Sequence, residues 1–279
     1  MRPFFSVIVP TLNEARYLPR LLNDLSKQSE SDFETVIVDA RSTDQTVERA
    51  RGYVKLQLRL FQMKKRQVAS QRNYGAFKAR GRYLVFLDAD SRIKPNFLLR
   101  LKQVIRRRPA LLYIPKIRSK DKALPHINLL INLSNLIVEL SQFTPRPFST
   151  GGNMIWEKQF FRLIGGFDDR LFLSEDHNII SQANAWGVRA QFVSRISINV
   201  SLRRFKNEGQ LVLFYKYMVA AAHVLLKKKM DKRLFRYEMG GGQYREKTNH
   251  QLSRLIQLRR YLKQVEKTIK DLVVVDING

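Results

Sequence analysis

Apolar runs of strand length alternate with amphipathic stretches along the first ninety residues. Between two of the runs, leucines at positions 18, 21, 22 and 25 have the spacing of one helix face. The predicted strands are Phe4–Val9, ended by Pro10, then Phe33–Val38, Val54–Phe61 and Tyr83–Leu87, and the predicted helices are 14–26, 45–51 and one from about Val68. This alternation predicts an α/β fold with a mostly parallel, doubly wound sheet flanked by helices.

The pattern is less regular in the second part of the chain. We expect a helix from about Lys94 with Phe97, Leu98 and Leu101 inward, a strand at Leu111–Ile117, and a strongly apolar stretch at Leu124–Phe143. The remaining predicted elements are a loop into a strand at 149–156, a helix at Glu157–Leu163 ended by two glycines, a helix from about Ser174, and a closing strand at Arg189–Val200.

The composition changes after about residue 209. Leu211–Leu226 reads as an apolar helix followed by three lysines, and a Gly240–Gly242 linker precedes a heptad seam. The seam residues are Leu255, Leu258, Leu262, Val265, Ile269 and Leu272. We expect a main domain at 1–209, with a nucleotide-binding half at 1–90 and an acceptor-binding half at 91–209. A C-terminal helical extension would then comprise amphipathic helices at 210–239 and a linker with the heptad helix at 240–279.

The charge is strongly basic. The 279 residues include 51 Lys and Arg against 24 Asp and Glu, a net charge of +27, and no cysteine. Such a field favours anionic partners, and the absence of cysteine excludes disulfides and thiolate metal sites. The basic residues are spread out and form no nucleic-acid-binding motif, so we expect no nucleic acid partner. The N-terminal apolar run is too short for a signal peptide, and no stretch reaches the ~20 apolar residues of a membrane span.

Candidate chemistry first appears where the strand Tyr83–Leu87 runs into Asp88-Ala89-Asp90. Open α/β sheets bind ligands at the carboxyl ends of their strands, and two carboxylates one residue apart can share a divalent cation. The alternative is an ordinary acidic turn in which Asp90 caps the next helix. The tripeptide alone leaves both interpretations open.

Seven motifs together are similar to those of family 2 glycosyltransferases with the GT-A fold. They are Val7-Ile8-Val9-Pro10-Thr11 with Asn13-Glu14, Val38-Asp39 with Ser42-Thr43-Asp44 and Thr46, Arg72-Asn73 with Gly75, Asp88-Ala89-Asp90, Gly151-Gly152-Asn153-Met154, Gly165-Gly166-Phe167-Asp168, and Glu175-Asp176. The resemblance covers about residues 4–205 and includes, among relatives, the polyprenyl-phosphate mannosyltransferases. Arg41 departs from it, because the family has Gly there; an arginine puts the loop conformation in doubt or offers a guanidinium to a phosphate.

The resemblance implies inverting transfer of a sugar from a nucleotide-diphosphate sugar, such as a UDP- or GDP-sugar. Mg²⁺ or Mn²⁺ on Asp88 and Asp90 would stabilise departure of the diphosphate. The implied donor-binding residues are Pro10, Thr11, Asn13, Glu14, Asp39, Ser42, Arg72, Asn73, Asp88, Ala89, Asp90, Gly151, Gly152, Asn153, Arg203 and Arg204. Among these, Asp39 would contact the base. Thr11, Asn13 and Glu14 would equally serve as a helix N-cap with a first-turn acid, and Arg72, Arg203 and Arg204 as surface charges.

Asp176, beside Glu175, is the implied general base on the acceptor side. The alternative is that both acids only charge a helix N-terminus, with His177 structural. A glycan or polyprenyl-linked acceptor with a free hydroxyl needs a base, whereas a polyprenyl phosphate acceptor is already anionic and does not. A nucleotidyltransferase is disfavoured, because no Gly-rich basic loop follows the first strand.

The basic surface and the heptad seam each suggest a further partner. The basic surface favours peripheral attachment to an anionic membrane at the cytoplasmic face of the cell membrane, through 210–239 and the apolar stretch Leu124–Phe143. The alternative is that these apolar stretches are core or oligomer contacts. The heptad seam would form a homodimer or pack back on the domain.

Overall fold

The structure is a computed structural model that describes residues 2–54, 56–119, 125–145, 147–149, 151–171 and 175–201. The predictions for the C-terminal extension and for Arg203 and Arg204 lie outside the described residues. The division at residue 209 therefore stays a prediction.

Seven strands and seven helices lie within these ranges. The strands are β1 (Phe5–Thr11), β2 (Phe33–Asp39), β3 (Leu58–Gln62), β4 (Tyr83–Phe86), β5 (Leu112–Arg118), β6 (Ile155–Glu157) and β7 (Gln191–Asn199). The helices are α1 (Leu18–Ser26), α2 (Thr46–Arg51), α3 (Val68–Lys78), α4 (Phe97–Arg107), α5 (Pro125–Ser141), α6 (Lys158–Leu163) and α7 (Glu175–Ala185). Among these helices, none combines the length and apolar character that crossing a membrane requires.

The strands form one sheet in the order β3-β2-β1-β4-β6-β5-β7. All neighbouring pairs are parallel except those of β6, which runs antiparallel to β4 and β5. The predicted mostly parallel, doubly wound sheet is therefore confirmed, with one short reversed strand in its centre. The carboxyl ends of β1, β2 and β4 meet at the same edge, which is where the candidate residues cluster.

Two apolar clusters, one on each face, make the fold three layers thick. Alternate residues of a strand point to opposite faces, so Val7 joins the cluster under α1 and α4 whereas Ile8 joins the cluster under α3, α6 and α7. The central strands β1, β2 and β4 are buried along their whole length, as expected of a sheet covered on both faces, whereas β3 at the edge is only partly buried.

The prediction that Pro10 ends the first strand is wrong, because β1 continues through Pro10 to Thr11. Pro10 is in register with Val38 of β2. The even-numbered residues of β1 bond toward β4, as the carbonyl of Ile8 does with the Leu87 amide. Pro10 therefore faces β4, but β4 ends at Phe86, before it reaches Pro10. The missing N–H of Pro10 thus costs no hydrogen bond between strands.

The first helix begins later than predicted. The segment from Leu12 to Tyr17 is a loop and turn, and α1 starts at Leu18 with Pro19 in its first turn and no side-chain cap. The interpretation of Thr11, Asn13 and Glu14 as a helix N-cap with a first-turn acid is therefore wrong. Asn13 has a positive φ of 56° and is bonded to a different loop. This leaves the polar loop after β1 at the carboxyl edge of the sheet.

Candidate active site

The carboxylate of Asp39 anchors the loops that follow β1 and β2. Asp39 is fully buried at the end of β2, and its Oδ1 accepts hydrogen bonds from the hydroxyls of Thr11 (3.0 Å) and Ser42. Its Oδ2 accepts one from the Ser42 backbone N–H, at 2.8 Å. Asp39 therefore lies where a base-binding residue was predicted, with its carboxylate held in one orientation by neighbours.

These two loops are joined by further hydrogen bonds. The Asn13 N–H donates to the Ser42 hydroxyl at 2.8 Å, and the Asn13 side-chain oxygen accepts from the Thr43 N–H at 2.8 Å. The Glu14 N–H donates to the hydroxyl of Thr46, also at 2.8 Å. The loop carrying Asn13 and Glu14 is thus built into the site by the loop after β2, which explains its polar sequence without a helix cap.

Arg41 adopts the left-handed conformation, with φ at 53°. Glycine enters this region freely, whereas an L side chain costs about 1–2 kcal/mol there. Arg41 therefore holds a backbone conformation that a glycine at this position would adopt without that cost. The exposed Arg41 accepts a hydrogen bond at its carbonyl from Arg66 Nη2, at 3.3 Å.

Gln71 belongs to the site although sequence reasoning did not select it. This buried residue of α3 donates from Nε2 to the carbonyls of Thr11 and Val38, both at 2.8 Å. It therefore links the ends of β1 and β2 to the helix that carries Arg72. The only sequence signal for it was its position beside the Arg72-Asn73 motif.

Arg72 lies at the centre of the site. Its side chain is 5% exposed, and its Nη2 contacts Asp88 Oδ1 at 2.8 Å while its Nη1 contacts Glu175 Oε1 at 3.0 Å. The guanidinium also lies over the ring of Phe167, 5.5 Å from the centroid. One buried cation thus joins the end of β4 to the start of α7, residues 87 positions apart in sequence, and its interpretation as a surface charge is wrong.

The charges in this cluster shift the pKa values of their neighbours. Burial alone would lower the pKa of the Arg72 guanidinium, but the carboxylates of Asp88 and Glu175 outweigh it and the pKa is raised. Burial and then the charge of Asp176 raise the pKa of Glu175, and Arg72 counteracts this only in part. Such opposed perturbations are typical of functional sites.

Gly152 and Asn153 position the guanidinium and the loop after β4. A Cβ on Gly152 would lie 2.2 Å from the Arg72 guanidinium carbon, so any side chain there would displace Arg72. The buried Asn153 accepts at Oδ1 from the Asp88 N–H at 3.2 Å and from the Ser91 hydroxyl at 3.3 Å. Gly151 has φ at 112° with open space beside it. Of the predicted glycine pair, Gly152 is therefore required by the packing of the Arg72 guanidinium, whether or not a sugar binds.

Asn73 is held by the protein rather than pointing freely into the crevice. Its Nδ2 donates to the Phe167 carbonyl at 2.7 Å, and its Oδ1 accepts from the Phe167 N–H at 2.9 Å. Asn73 therefore fixes the residue whose ring lies against Arg72. The prediction that Asn73 faces the nucleotide stays a prediction, with its amide already engaged.

The acids Glu175 and Asp176 form the first turn of α7, so the predicted helix position is confirmed. Asp176 is half-buried and accepts from the His177 N–H at 3.0 Å, and His177 Nδ1 accepts from the Ser149 N–H at 3.4 Å. His177 thus holds the loop before Gly151, which supports the structural interpretation. Asp176 follows Glu175, the residue that contacts Arg72, and its charge acts on Arg72 as well.

Asp88 and Asp90 suit a divalent cation as a partial donor set. The side chain of Asp88 is 40% exposed, with one oxygen at Arg72 and the other 3.5 Å from Asn153 Nδ2. No group of three or more acids or histidines suited to a metal occurs among the described residues. Two hard oxygen donors at the edge of a crevice fit a Mg²⁺ or Mn²⁺ that takes its other ligands from substrate phosphates and water.

The fold and site together define a class of protein. A mostly parallel sheet with paired carboxylates after a central strand, and further acids at a facing helix start, is the arrangement of GT-A nucleotide-sugar transferases. The chain matches the family "Glycosyl transferase family 2" over residues 6–166. This is more than half of the chain, which therefore belongs to that family, and the predicted family is confirmed.

Two known proteins illustrate the relationship. The poly(ribitol-phosphate) beta-N-acetylglucosaminyltransferase TarS of Staphylococcus aureus is 38% identical over 99 residues, covering 34% of this chain and 17% of TarS. The crystal structure of S. aureus TarS 1-349 in complex with UDP superposes with a TM-score of 0.57 and 25% identity, covering 72% of this chain and 62% of that one. This chain therefore spans less than two thirds of the length of TarS, in both comparisons.

A third solved protein shares the fold. The mannosyltransferase PcManGT from Pyrobaculum calidifontis, solved with GDP-Man and Mn²⁺, has a TM-score of 0.60 at 20% identity, covering 81% of this chain and 71% of that one. This likeness shows the shared fold.

Proposed function

We propose that the protein is an inverting, metal-dependent glycosyltransferase that moves a sugar from a nucleotide-diphosphate sugar to a hydroxyl of a glycan or lipid-linked acceptor. The observation that carries this proposal is the double contact of Arg72 with Asp88 and Glu175. It joins the predicted donor-side carboxylates to the predicted acceptor-side acids through one buried cation. The UDP complex of the TarS relative supports a uridine nucleotide as the first donor to test.

Donor binding follows from the loops after β1 and β2. Asp39, oriented by Thr11 and Ser42, accepts a hydrogen bond from the edge of the base. The interlocked loop around Asn13 needs little reordering when the nucleotide enters, so less of the binding energy is lost to conformational entropy. The exposed guanidinium of Arg41 adds a cation at the same edge.

The diphosphate leaves on the Asp88 side. Asp88 and Asp90 would hold a divalent cation, which would supply Lewis-acid stabilisation of the departing phosphates. Arg72 fixes the orientation of Asp88, and Asn153 holds the backbone of the same loop at 3.2 Å. The protein's own contribution is therefore the carboxylate of Asp88, held in one orientation before charge develops on the leaving group.

The acceptor is activated on the other side of Arg72. Asp176 takes the proton of the acceptor hydroxyl as that oxygen attacks the anomeric carbon, in a single displacement that inverts the configuration. Glu175, the residue before Asp176, contacts Arg72 Nη1 at 3.0 Å and so ties the first turn of α7 to the guanidinium. Burial and the charge of Asp176 raise the pKa of Glu175.

Two measurements test this proposal. Thermal-shift titration with UDP, GDP and dTDP and their sugars, each with Mn²⁺, should raise the melting temperature for one base, because ligands that bind only the folded state stabilise it. Proton NMR of the product should show an inverted anomeric configuration. A null response to every nucleotide, or retention of configuration, would contradict the proposal.

The Asp176→Asn variant distinguishes the acceptor classes. With a hydroxyl acceptor we expect kcat to fall by roughly 10²–10⁴-fold, the usual contribution of general base catalysis. With a polyprenyl phosphate acceptor, which is already anionic, the loss would be mild. The matched control is Asp168→Asn, at an acid near the site that bonds to Arg170 rather than to Arg72.

Membrane attachment stays a prediction, because the basic segment 210–239 lies outside the described residues. Co-sedimentation with vesicles containing anionic lipid tests it at physiological salt. Recovery of the protein in the supernatant under those conditions would contradict peripheral attachment.

A further inference from the structure

One helix carries most of the exposed apolar surface. Seven of the twelve exposed large hydrophobic side chains in the described residues lie on α5 or just after it. The most exposed are Leu129 (70%), Leu140 (58%) and Phe143 (72%), with Leu133 and Leu136 at 50% each. A contiguous apolar patch of this kind on a monomer marks a contact surface rather than ordinary exposure.

The opposite face of α5 is already packed. Val138 is 1% exposed and joins the core under α3 and α7. Asn135, also buried, accepts from the Ile117 N–H and donates to the Ile117 carbonyl, both at 2.9 Å. These bonds to β5 fix the rotation of the helix, so the exposed leucines point away from the domain. The helix is therefore apolar on two faces, and only one of them has a partner among the described residues.

Five of the seven exposed residues form a regular seam, which Leu130 and Ile137 flank on one side. Leu129, Leu133, Leu136, Leu140 and Phe143, the last just after the end of α5, are separated by steps of four, three, four and three. This is the spacing of coiled-coil contact positions, whose partner is another helix with the same repeat. A fluid lipid surface places no such requirement on the spacing.

The same chain contains a matching seam. Leu255, Leu258, Leu262, Val265, Ile269 and Leu272 are separated by steps of three and four. The segment 252–272 carries six Lys and Arg against Glu266 and Asp271. Residues 125–145 contain Glu139 and no Lys or Arg. Two copies of the basic segment would repel each other, whereas one copy beside α5 meets no opposing cations.

The described chain ends close to α5. The Val200 N–H donates to the carbonyl of Arg118 at 2.8 Å, so the tail leaves the sheet at the end of β5. α5 follows β5 in the chain and is bonded to it at Ile117. Residues 202–254 separate this exit from Leu255, and even a partly compact linker of that length reaches any point of α5.

We propose that the segment Leu255–Leu272 packs as a helix on the exposed face of α5 of the same chain, its seam against Leu129, Leu133, Leu136, Leu140 and Phe143. This contact covers the largest apolar patch of the described residues within one molecule. It assigns the C-terminal seam to the catalytic domain rather than to a homodimer, and it does not depend on the reaction that the enzyme performs.

The absence of cysteine allows a direct test in the full chain. Leu136→Cys places one thiol in the α5 seam, and Ser31→Cys places a control thiol at an exposed position before β2, away from α5. Thiol labelling rates are measured without lipid over a range of protein concentrations. We expect the Leu136→Cys thiol to react roughly tenfold or more slowly than the Ser31→Cys thiol at every concentration, because labelling requires local opening of the contact.

A second set of full-length variants tests the partner. Leu258→Gln with Leu262→Gln breaks the tail seam, and Ile256→Gln with Tyr261→Gln makes the same number of changes off the seam. The first pair should restore fast labelling at Leu136→Cys, and the second should leave it slow. Circular dichroism confirms that each variant is folded.

Three results would overturn the proposal. Fast labelling of Leu136→Cys in the full chain would show that nothing covers the face. Protection that grows with protein concentration would assign the face to a second copy. Protection that develops only after anionic vesicles are added would assign it to a membrane.

Discussion

Two clusters of charge lie at opposite edges of the same sheet and are built differently. At the amino ends of β1 and β2, Glu34 is 4% exposed and is bonded to the Ser6 hydroxyl at 2.7 Å, to the Arg80 N–H and to Arg59 at 3.0 Å. At the carboxyl ends, Arg72 serves two acids, with Asp176 adjacent. The first cluster has one acid with several donors, and the second has more acids than cations.

The two clusters also shift pKa values in opposite directions. Burial by itself would raise the pKa of Glu34, but the hydrogen bonds from Ser6, the Arg80 N–H and Arg59 outweigh it and lower the pKa. The pKa of Glu175 is raised by burial and by Asp176. The amino-end cluster therefore stabilises the fold, whereas the carboxyl-end cluster holds charges at a cost that a bound cation and substrate can relieve.

The largest effect that separates the clusters is expected for Asp88→Asn. This change removes a charge from the donor side and should lower kcat/KM by roughly 10²–10³-fold, as loss of a preorganised electrostatic group does. Glu34→Gln is the matched control, and its kcat/KM per folded molecule should equal that of wild type. The measurement is steady-state kinetics of both variants, with kcat/KM corrected for the folded fraction of each. Similar losses of kcat/KM in both variants would contradict the assignment of Asp88 to activity and Glu34 to stability.

Removing the shared cation should affect both activity and fold. Arg72→Met keeps most of the side-chain volume but leaves Asp88 and Glu175 without their counter-charge, which costs about 3–5 kcal/mol in buried pairs. The partial exposure of Asp88 reduces this, so we expect an unfolding free energy lower by about 2 kcal/mol together with a large loss of activity. Urea unfolding and kinetics of the same preparation test it; a stable, fully active variant would remove Arg72 from its central place.

Glu34→Gln should lower stability while leaving chemistry intact. The variant loses a charge-assisted contact with Arg59 and weakens the bonds from Ser6 and the Arg80 N–H. We expect a loss of about 1–3 kcal/mol in the unfolding free energy, measured by urea titration. Lys65→Gln, which removes an exposed ion pair with Asp169, is the comparison and should change stability by less than about 1 kcal/mol.

The pH dependence of stability should differ in sign between the two glutamates. The pKa of Glu34 is lowered from 4.5, so its contribution is present above about pH 4.5 and is lost as the pH falls through the folded pKa. The pKa of Glu175 is raised from 4.5, so its protonated form suits the fold and its contribution declines as the pH rises from 4.5 through the folded pKa.

Urea unfolding between pH 3 and 7 measures this difference. Relative to wild type, Glu34→Gln should lose least at the acid end of the range. Glu175→Gln should gain stability toward neutral pH, where wild type carries the unfavourable charge. Parallel pH profiles for the two variants would show that the clusters do not differ.

The smallest expected effect concerns the loop strain at Arg41. Glycine should relieve the positive φ of 53°, offset partly by greater freedom of the unfolded chain, so Arg41→Gly should raise stability by about 0.5–1 kcal/mol. Any accompanying weakening of nucleotide binding would measure the contribution of the guanidinium. A loss of stability would mean that the side chain makes a compensating contact.

Much of this comparison could be predicted from local patterns. The apolar runs predicted the strands. Because Asp39 and Asp88 each follow such a run, both could be placed at the carboxyl edge of the sheet. The double contact of Arg72 could not be predicted, because it depends on the approach of α3, β4 and α7. The strand through Pro10 was missed for a similar reason: proline is tolerated there only because β4 ends before it.

The role of the glycines shows the same limit. A Gly-Gly pair in a loop suggested room for a sugar, yet Gly152 is required by the Arg72 guanidinium that packs against it. Gln71 and Phe167 complete the site through contacts that no spacing in the sequence indicates. The tertiary approach of elements decides which of the marked residues act on each other.

The most direct test of the central claim is calorimetric titration of UDP with and without Mn²⁺ into wild type, Asp88→Asn and Glu34→Gln. If the carboxyl-end cluster is a metal-assisted donor site, Mn²⁺ should tighten UDP binding roughly tenfold or more in wild type and in Glu34→Gln, and this gain should vanish in Asp88→Asn. An equal gain in UDP affinity in Asp88→Asn would contradict the assignment. UDP affinity that does not change with Mn²⁺ in any of the three proteins would also contradict it.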